Sequence, residues 1–572
     1  MRNSERKLNK ALDYLKNLKL GDAVYNSKIQ RLYLQIFESK NLILEIERFA
    51  DAYSFDQNTP ENGFFSVIDI FLIAMSRALK ACDKPSGIWR LFMTKNRQIR
   101  NLQTHTEILD NFIKMFRTLI EINAKSSGSK SLINDTGNYD NLITKTYNDI
   151  NIASFYGQNI GFHHTSPTRF QSRFLTIAIA SFAEFYYSNR NIFVRLLGIP
   201  LSFLKFTIWP EECGRRSEQL IRNSDVDFFS FGMQAFTMKI SCFIQNFLSH
   251  RLQVNKMIKI SPEPIQIEST KFNGKIEIPI PSSHINVRPI PCHLLSAKAR
   301  DGMVGERSKN EPSKYLIIHT HGGGFYTHTT ESHEVYLREW AVKLDVPILS
   351  IEYSLAPNAP FPRALEEIFY VYCWALKSGK LLGTTAEKIL LVGDSAGANL
   401  NTAMMIKCIE NGVKVPQCML SIYGLFLSNY SAIPSMMMGY MDVFLTYAHL
   451  MRIFKTYAGH FKIQKRTGKM PIALKTEFSD VIPKNHLMSP IFASKEILSQ
   501  FPSVVLLTTV LDPCMDENIE MAKKLRAAGV NIKLTVLHDL VHGFLHLVRI
   551  CKRSSAGSAT CVKHMKELLA IE

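Results

Sequence analysis

This sequence is short of the features that mark metal clusters, secretion, nucleic-acid binding and membrane spans. Cysteine supplies 10 of 572 residues, scattered from Cys82 to Cys561 with no C-x-x-C pair. A zinc site is therefore not expected. The opening MRNSERKLNK is not followed by an apolar h-region, so no secretory signal is expected. The formal net charge is +18, yet there is no long Lys/Arg run and no nucleic-acid module. That balance suits an anionic lipid surface better than nucleic acid. No apolar run has the roughly 20 residues of a spanning helix. Phe174 to Tyr187 is interrupted by Glu184, and Phe193 to Trp209 contains Arg195, Pro200 and Lys205. Both read as buried or interfacial helices. No repeat of solenoid period is present. Together these absences predict a cytosolic setting, free thiols, no transmembrane span and, at most, peripheral lipid contact.

What is present suits a large globular protein. Hydrophobic residues make up 46% and charged residues 21%, ordinary values for a packed core, and the length calls for more than one domain. Residues 1–255 read as an N-terminal all-helical domain, with helical spacing in LNKALDYLKNL and FSVIDIFLIAMSRALKAC. Lys125 to Asn141, rich in Ser, Gly, Asn and Asp, reads as a loop. Residues 256–572 begin with alternating residues around the turn Phe272-Asn273-Gly274-Lys275, a hairpin signal. From Lys314 short apolar runs alternate with helical stretches: YLIIHTH, VPILSIEY, KILLVGD, CMLSIYG, SVVLLTTV and IKLTVLH. The fold class is α/β, with a mostly parallel sheet covered by helices on both faces.

Two motifs carry chemistry. Gly393-Asp394-Ser395-Ala396-Gly397 follows the strand KILLV and precedes a helix-compatible run. That is the setting of a nucleophile elbow, which leaves the Ser395 hydroxyl exposed at the tip of the sheet. The alternative is an ordinary strand–helix turn. His321-Gly322-Gly323-Gly324 follows an earlier strand. Glycine-rich backbone there can donate amides to a tetrahedral oxyanion, and we expect the donors to be Gly322, Gly323 and Ala396. A phosphate cradle is the weaker reading, because no G-K-S/T or G-x-G-x-x-G pattern accompanies the glycines.

A serine hydroxyl needs a base, and the base needs an orienting acid. In the chain order Ser, acid, His, the base is His542, on the loop after IKLTVLH. His449, His460, His486, His538, His546 and His564 are its rivals. The acid is Asp512, which ends SVVLLTTVL before Pro513, with Asp516, Glu517 and Asp539 as rivals. His542 would take the Ser395 proton during attack on an ester carbonyl, then activate water against the acyl-enzyme. No metal or cofactor is required.

These residues, with Tyr353-Ser354-Leu355-Ala356-Pro357 and Phe361-Pro362, resemble the hormone-sensitive lipase group of α/β-hydrolases. Tyr156-Gly157, Gly161-Phe162 and the segment from Ser181 to Tyr187 extend the resemblance into the helical half. The resemblance implies a cytosolic neutral lipase for acylglycerols and cholesteryl esters, often at lipid droplets, with the helical half serving dimerisation and lipid or partner contact. By position it also implies the triad Ser395, Asp512 and His542. Two departures stand out. The group's elbow usually continues with a second glycine where this chain has Ala398. The regulatory insert between nucleophile and acid is short here, with only 429–480 available. Thr467 and Ser554, hydroxyls next to basic pairs, read as ordinary solvated surface. A carboxylesterase or deacetylase for small soluble esters is a rival reading, and a non-catalytic ligand-binding protein on the same scaffold is another.

Overall fold

The computed structural model describes residues 4–18, 23–83, 95–126, 128, 131–133, 140–157, 169–189, 191–223, 228, 250–428, 433–460, 482 and 484–571. Most of the stretch expected as a loop, Lys125 to Asn141, lies outside these residues, as do Gly161-Phe162 and Thr467.

Helices fill the first part of the chain: α1 (Ser4–Lys16), α2 (Ala23–Ala50), α3 (Gly63–Cys82), α4 (Lys95–Lys125), α5 (Asp140–Asp149), α6 (Ala153–Gly157), α7 (Arg169–Tyr186), α8 (Ile192–Ile208) and α9 (Pro210–Asn223). The Asn62 side chain caps α3 by accepting the Phe65 amide. Helix α3 is apolar at most positions because it is surrounded: Phe71 meets Phe116 of α4 edge-on at 5.2 Å, and Phe64, Val67 and Ile68 are buried. Helix α8 is the opposite case. Phe193, Leu197 and Leu201 are 73%, 66% and 68% exposed. Among the described residues no single helix is long and apolar enough to cross a membrane.

The strands follow: β1 (Val254–Ile260), β2 (Ile265–Glu268), β3 (Lys275–Ile278), β4 (Ile290–Ser296), β5 (Ser313–Thr320), β6 (Ile348–Ile351), β7 (Thr384–Asp394), β8 (Cys418–Ile422), β9 (Ser503–Leu511) and β10 (Ile532–Val541). Strands β2 and β3 form the expected hairpin, with Gly274 at a φ of 143° in its turn. The other eight make one sheet in the order β1-β4-β6-β5-β7-β8-β9-β10. Its first two pairings are antiparallel and the rest parallel.

The intervening helices are α10 (Thr330–Leu344), α11 (Arg363–Ser378), α12 (Ala396–Asn411), α13 (Tyr447–Tyr457), α14 (Lys495–Leu498), α15 (Met515–Ala527) and α16 (Lys552–Leu569). Helices α10 and α16 share one apolar core with the sheet, and Trp340 donates to Ser558 Oγ at 2.9 Å. Helices α11, α12 and α15 share the other core with the N-terminal helices. Covering both faces explains why β5 and β7 read as continuous apolar runs. Ser554 is buried in α16, so it is not the solvated hydroxyl its neighbours Lys552 and Arg553 suggested.

Within 429–480, residues 433–460 are described, and they form a 3-10 turn (Pro434–Tyr440) and α13 with largely buried side chains. The N-terminal helices hold this segment by polar contacts. Tyr156 donates to the Asp442 carbonyl at 2.6 Å, and Arg452 donates to the carbonyls of Ile221 and Arg222 at 3.1 and 2.6 Å.

Candidate active site

The parallel strands end in register: Thr320 lies beside Gly393, and Gly393 beside Ser421. Functional groups emerge at that carboxyl edge, where open α/β sheets place their ligands. Between β7 and α12 the chain turns so sharply that Ser395 sits at φ 52°, ψ −121°, a strained conformation for a residue with a side chain. The elbow glycines are required by space. A Cβ on Gly397 would lie 2.0 Å from the Thr320 carbonyl oxygen, and one on Gly393 would lie 2.7 Å from the backbone of Gly397.

Ser395, His542 and Asp512 meet at this edge. His542 Nε2 is 2.9 Å from Ser395 Oγ, and its Nδ1 is 2.9 and 3.0 Å from the two Asp512 oxygens. Because Asp512 only accepts, Nδ1 carries the proton and Nε2 is free to accept the serine O–H. Asp512 is fully buried, and the Cys514 amide donates to it at 2.7 Å. Burial opposes a charge on His542, but the Asp512 carboxylate outweighs it by charge and hydrogen bond, and the imidazole is held above its ordinary pKa.

Seven of the nine rivals, all but His460 and His546, are occupied elsewhere. Asp516 accepts from Ser435, Glu517 accepts from Leu427, and Asp539 pairs with Arg553. His449 bonds Tyr326, His486 bonds Glu410, His538 pairs with Glu61, and His564 bonds Thr535.

The oxyanion loop needs one correction. The Gly322 amide, expected as a donor, is directed inward, to Asp394 Oδ1 at 3.1 Å and His333 Nε2 at 3.3 Å. Asp394 is buried and also accepts from Tyr336 and Tyr423 at 3.1 and 3.3 Å. Burial works against its charge, but His333, with His546 and His319 farther off, keeps it well below the usual carboxylate range. Gly322 therefore anchors the loop to the elbow, and the next amides along it, Gly323 and Gly324, remain with Ala396 as the donors not consumed internally. Glycine is needed in both. Gly323 has φ 114° with Thr327 oxygen 2.2 Å from its would-be Cβ, and Gly324 meets Ile453. Behind the loop, Phe325 stacks on Tyr457 at 3.7 Å and Tyr353 donates to the His321 carbonyl at 2.8 Å.

Among the described residues, two groups have metal-ligating side chains close together. Asp512, Cys514 and His542 form one. Burial, with Glu517 and Asp512 nearby, pushes the Cys514 thiol well up, so it stays protonated and ligates poorly. The second is His328, His333 and His546. His333 belongs to the site through Gly322 and was not singled out by sequence. Its only signal was a polar residue on the sheet-facing side of α10.

The chain also matches known proteins. Residues 16–304 match the family model for the hormone-sensitive lipase N-terminus, and residues 317–546 match the alpha/beta hydrolase fold. The chain belongs to the hormone-sensitive lipase family. It is 25% identical to hormone-sensitive lipase of Mus musculus, over 91% of each chain. It is 28% identical to the carboxylic ester hydrolase LipN of Mycobacterium tuberculosis, over 45% of this chain and 64% of that one. Among solved structures, a hyperthermophilic esterase from the archaeon Pyrobaculum calidifontis aligns with 63% of this chain and 97% of its own, with 21% identity and a TM-score of 0.47. As a hormone-sensitive lipase relative with an α/β-hydrolase domain and an N-terminal helical region, the chain falls in the esterase and lipase class of carboxylic ester hydrolases.

Proposed function

We propose that this protein is a cytosolic lipase that hydrolyses acylglycerols and cholesteryl esters through an acyl-enzyme on Ser395. The observation that carries the reading is the hydrogen-bonded chain from Asp512 through His542 to Ser395 Oγ. In the proposed mechanism His542 accepts the serine proton as Oγ attacks the ester carbonyl. The amides of Gly323, Gly324 and Ala396 take up the oxyanion charge. His542 then donates its proton to the leaving alcohol and takes one from the water that releases the fatty acid.

The exposed stripe of Phe193, Leu197 and Leu201 on α8, flanked by Arg195 and Lys205, supports docking on a droplet or membrane surface. Family resemblance supports a homodimer as the working form.

Ser395→Ala should abolish hydrolysis of a short-chain p-nitrophenyl ester, and an active variant would overturn the assignment. Emulsified diacylglycerol should be cleaved faster than a soluble ester of equal acyl length. Preference for the soluble ester would instead favour a small-ester carboxylesterase. The paired change Leu197→Ser with Leu201→Ser should weaken binding to anionic vesicles while soluble-ester hydrolysis persists.

A further inference from the structure

His328, His333 and His546 come from three separate elements: the end of the oxyanion loop, the first turn of α10, and the 3-10 turn after His542 (Phe544–Leu547). One ring nitrogen from each lies within 4.8 Å of the others. The rings are packed together. His328 stacks on His546 at 4.9 Å, and His333 meets His546 edge-on at 4.7 Å. His328 holds its place at φ 71°, a left-handed conformation for a residue with a side chain. Its ring lies against the loop, 2.9 Å from where a Cβ on Gly323 would be.

We propose that these three histidines form an inhibitory binding site for a zinc-class divalent cation. Three imidazoles are the donor set that first-row divalent metals of this class favour, and they leave a fourth position for water. His333 is held in place on both sides of its ring: Nδ1 lies 3.0 Å from the Thr329 carbonyl and 2.9 Å from Ser332 Oγ, and Nε2 lies 3.4 Å from Asp394 Oδ1. Zinc holds imidazole nitrogens at about 2.0–2.1 Å, so the rings must draw in by about an ångström. His328 and His546 keep partial exposure and can rotate; His333 is fully buried and fixed.

Inhibition follows from what His333 Nε2 does without metal. It shares the Gly322 amide with Asp394, at 3.3 Å. A metal ion that draws the His333 ring toward the other two weakens this anchor of the oxyanion loop. It also ties His328, on the loop, to His546, four residues after the base His542. Gly323 and Gly324 are then drawn away from the elbow, and hydrolysis slows although the triad is untouched.

The test uses the full-length chain with zinc chloride. Equilibrium dialysis should give one zinc per chain, and a short-chain ester assay should show inhibition that EDTA reverses. His328→Gln and His546→Gln, each compared with its own zinc-free rate, should bind zinc more weakly and raise the half-inhibiting zinc concentration at least about tenfold. Should one variant fail to fold, the other decides. Cys514→Ser reports on the rival group beside the triad and should remain as zinc-sensitive as the parent. Unchanged zinc sensitivity in both histidine variants, loss of sensitivity in Cys514→Ser alone, or no stoichiometric zinc by dialysis would overturn the proposal. Because dialysis reads binding without catalysis, its result stands apart from the lipase reading itself.

Discussion

Asp516 Oδ1 accepts the backbone amide of Gly63 at 2.7 Å, joining two residues 453 positions apart in sequence. Its Oδ2 accepts the Ser435 amide at 2.8 Å. One fully buried carboxylate thus fastens the start of α3 and the 3-10 turn at Pro434–Tyr440 to the start of α15. Asp516→Ala should leave two buried amides unpaired, at about 1–3 kcal/mol each. Gly63→Ala should be at least as damaging, because its methyl would lie 2.2 Å from Asp516 Oδ2 and 2.4 Å from the Ser435 nitrogen. Thermal unfolding of both variants checks this. Unchanged midpoints would show that the junction is held by other contacts.

The base sets a pH prediction. His542 works when neutral, and Asp512 holds its pKa above the ordinary value against the effect of burial. The active fraction therefore falls as pH drops through a pKa above about 6.5. A profile of kcat/KM against pH should rise to a plateau with its inflection on the alkaline side of that value. Asp512→Asn should shift the inflection downward and lower kcat by roughly 10⁴-fold, the size of loss seen when a triad aspartate is amidated.

Asp394→Asn tests the loop anchor. The amide offers one acceptor where the carboxylate serves Gly322, Tyr336 and Tyr423. Its NH₂ would face donors. We expect kcat to fall on the order of tenfold or more, equivalent to about 1.4 kcal/mol, with little change in KM. A rise in KM at constant kcat would place the effect in substrate binding instead.

Ala398, where the family usually has glycine, is fully buried in the first turn of α12, and its amide donates to the Ser395 carbonyl at 3.1 Å. Ala398→Gly should leave esterase activity unchanged and destabilise the protein by about 1 kcal/mol for helix propensity, with up to about 0.8 more for the lost methyl. A gain in activity would mean that the methyl restrains the elbow.

The strands and the three triad positions were legible because each sits where an apolar run stops: Asp394-Ser395 after KILLVG, Asp512 before Pro513, His542 after IKLTVLHDLV. Period, punctuation and chain order are local properties. Which glycine amides face the substrate was not legible. That depends on Asp394, 72 residues from Gly322, turning one of them inward. The histidine cluster was hidden for the same reason, since its members lie on three elements. The segment 429–480 read as a short regulatory interval, yet Tyr447, Phe454 and Tyr457 are buried in its described part. Aromatic spacing alone does not reveal which partner covers a helix.

Helix α15 bears on more than the acid it follows. Asp516, Glu520 and Lys523 lie on one side of it, and they contact Gly63, Ser131 and the Tyr53 carbonyl respectively. The first of them lies one helical turn beyond Asp512. The helical half is thus a splint on the peptide that carries the triad acid, and cutting it away leaves no minimal catalyst. A truncated chain without it should lose chemistry and adsorption together, so single changes on α8 are the way to separate the two. A load on the N-terminal helices would be transmitted, through these three side chains, to the acid-bearing turn.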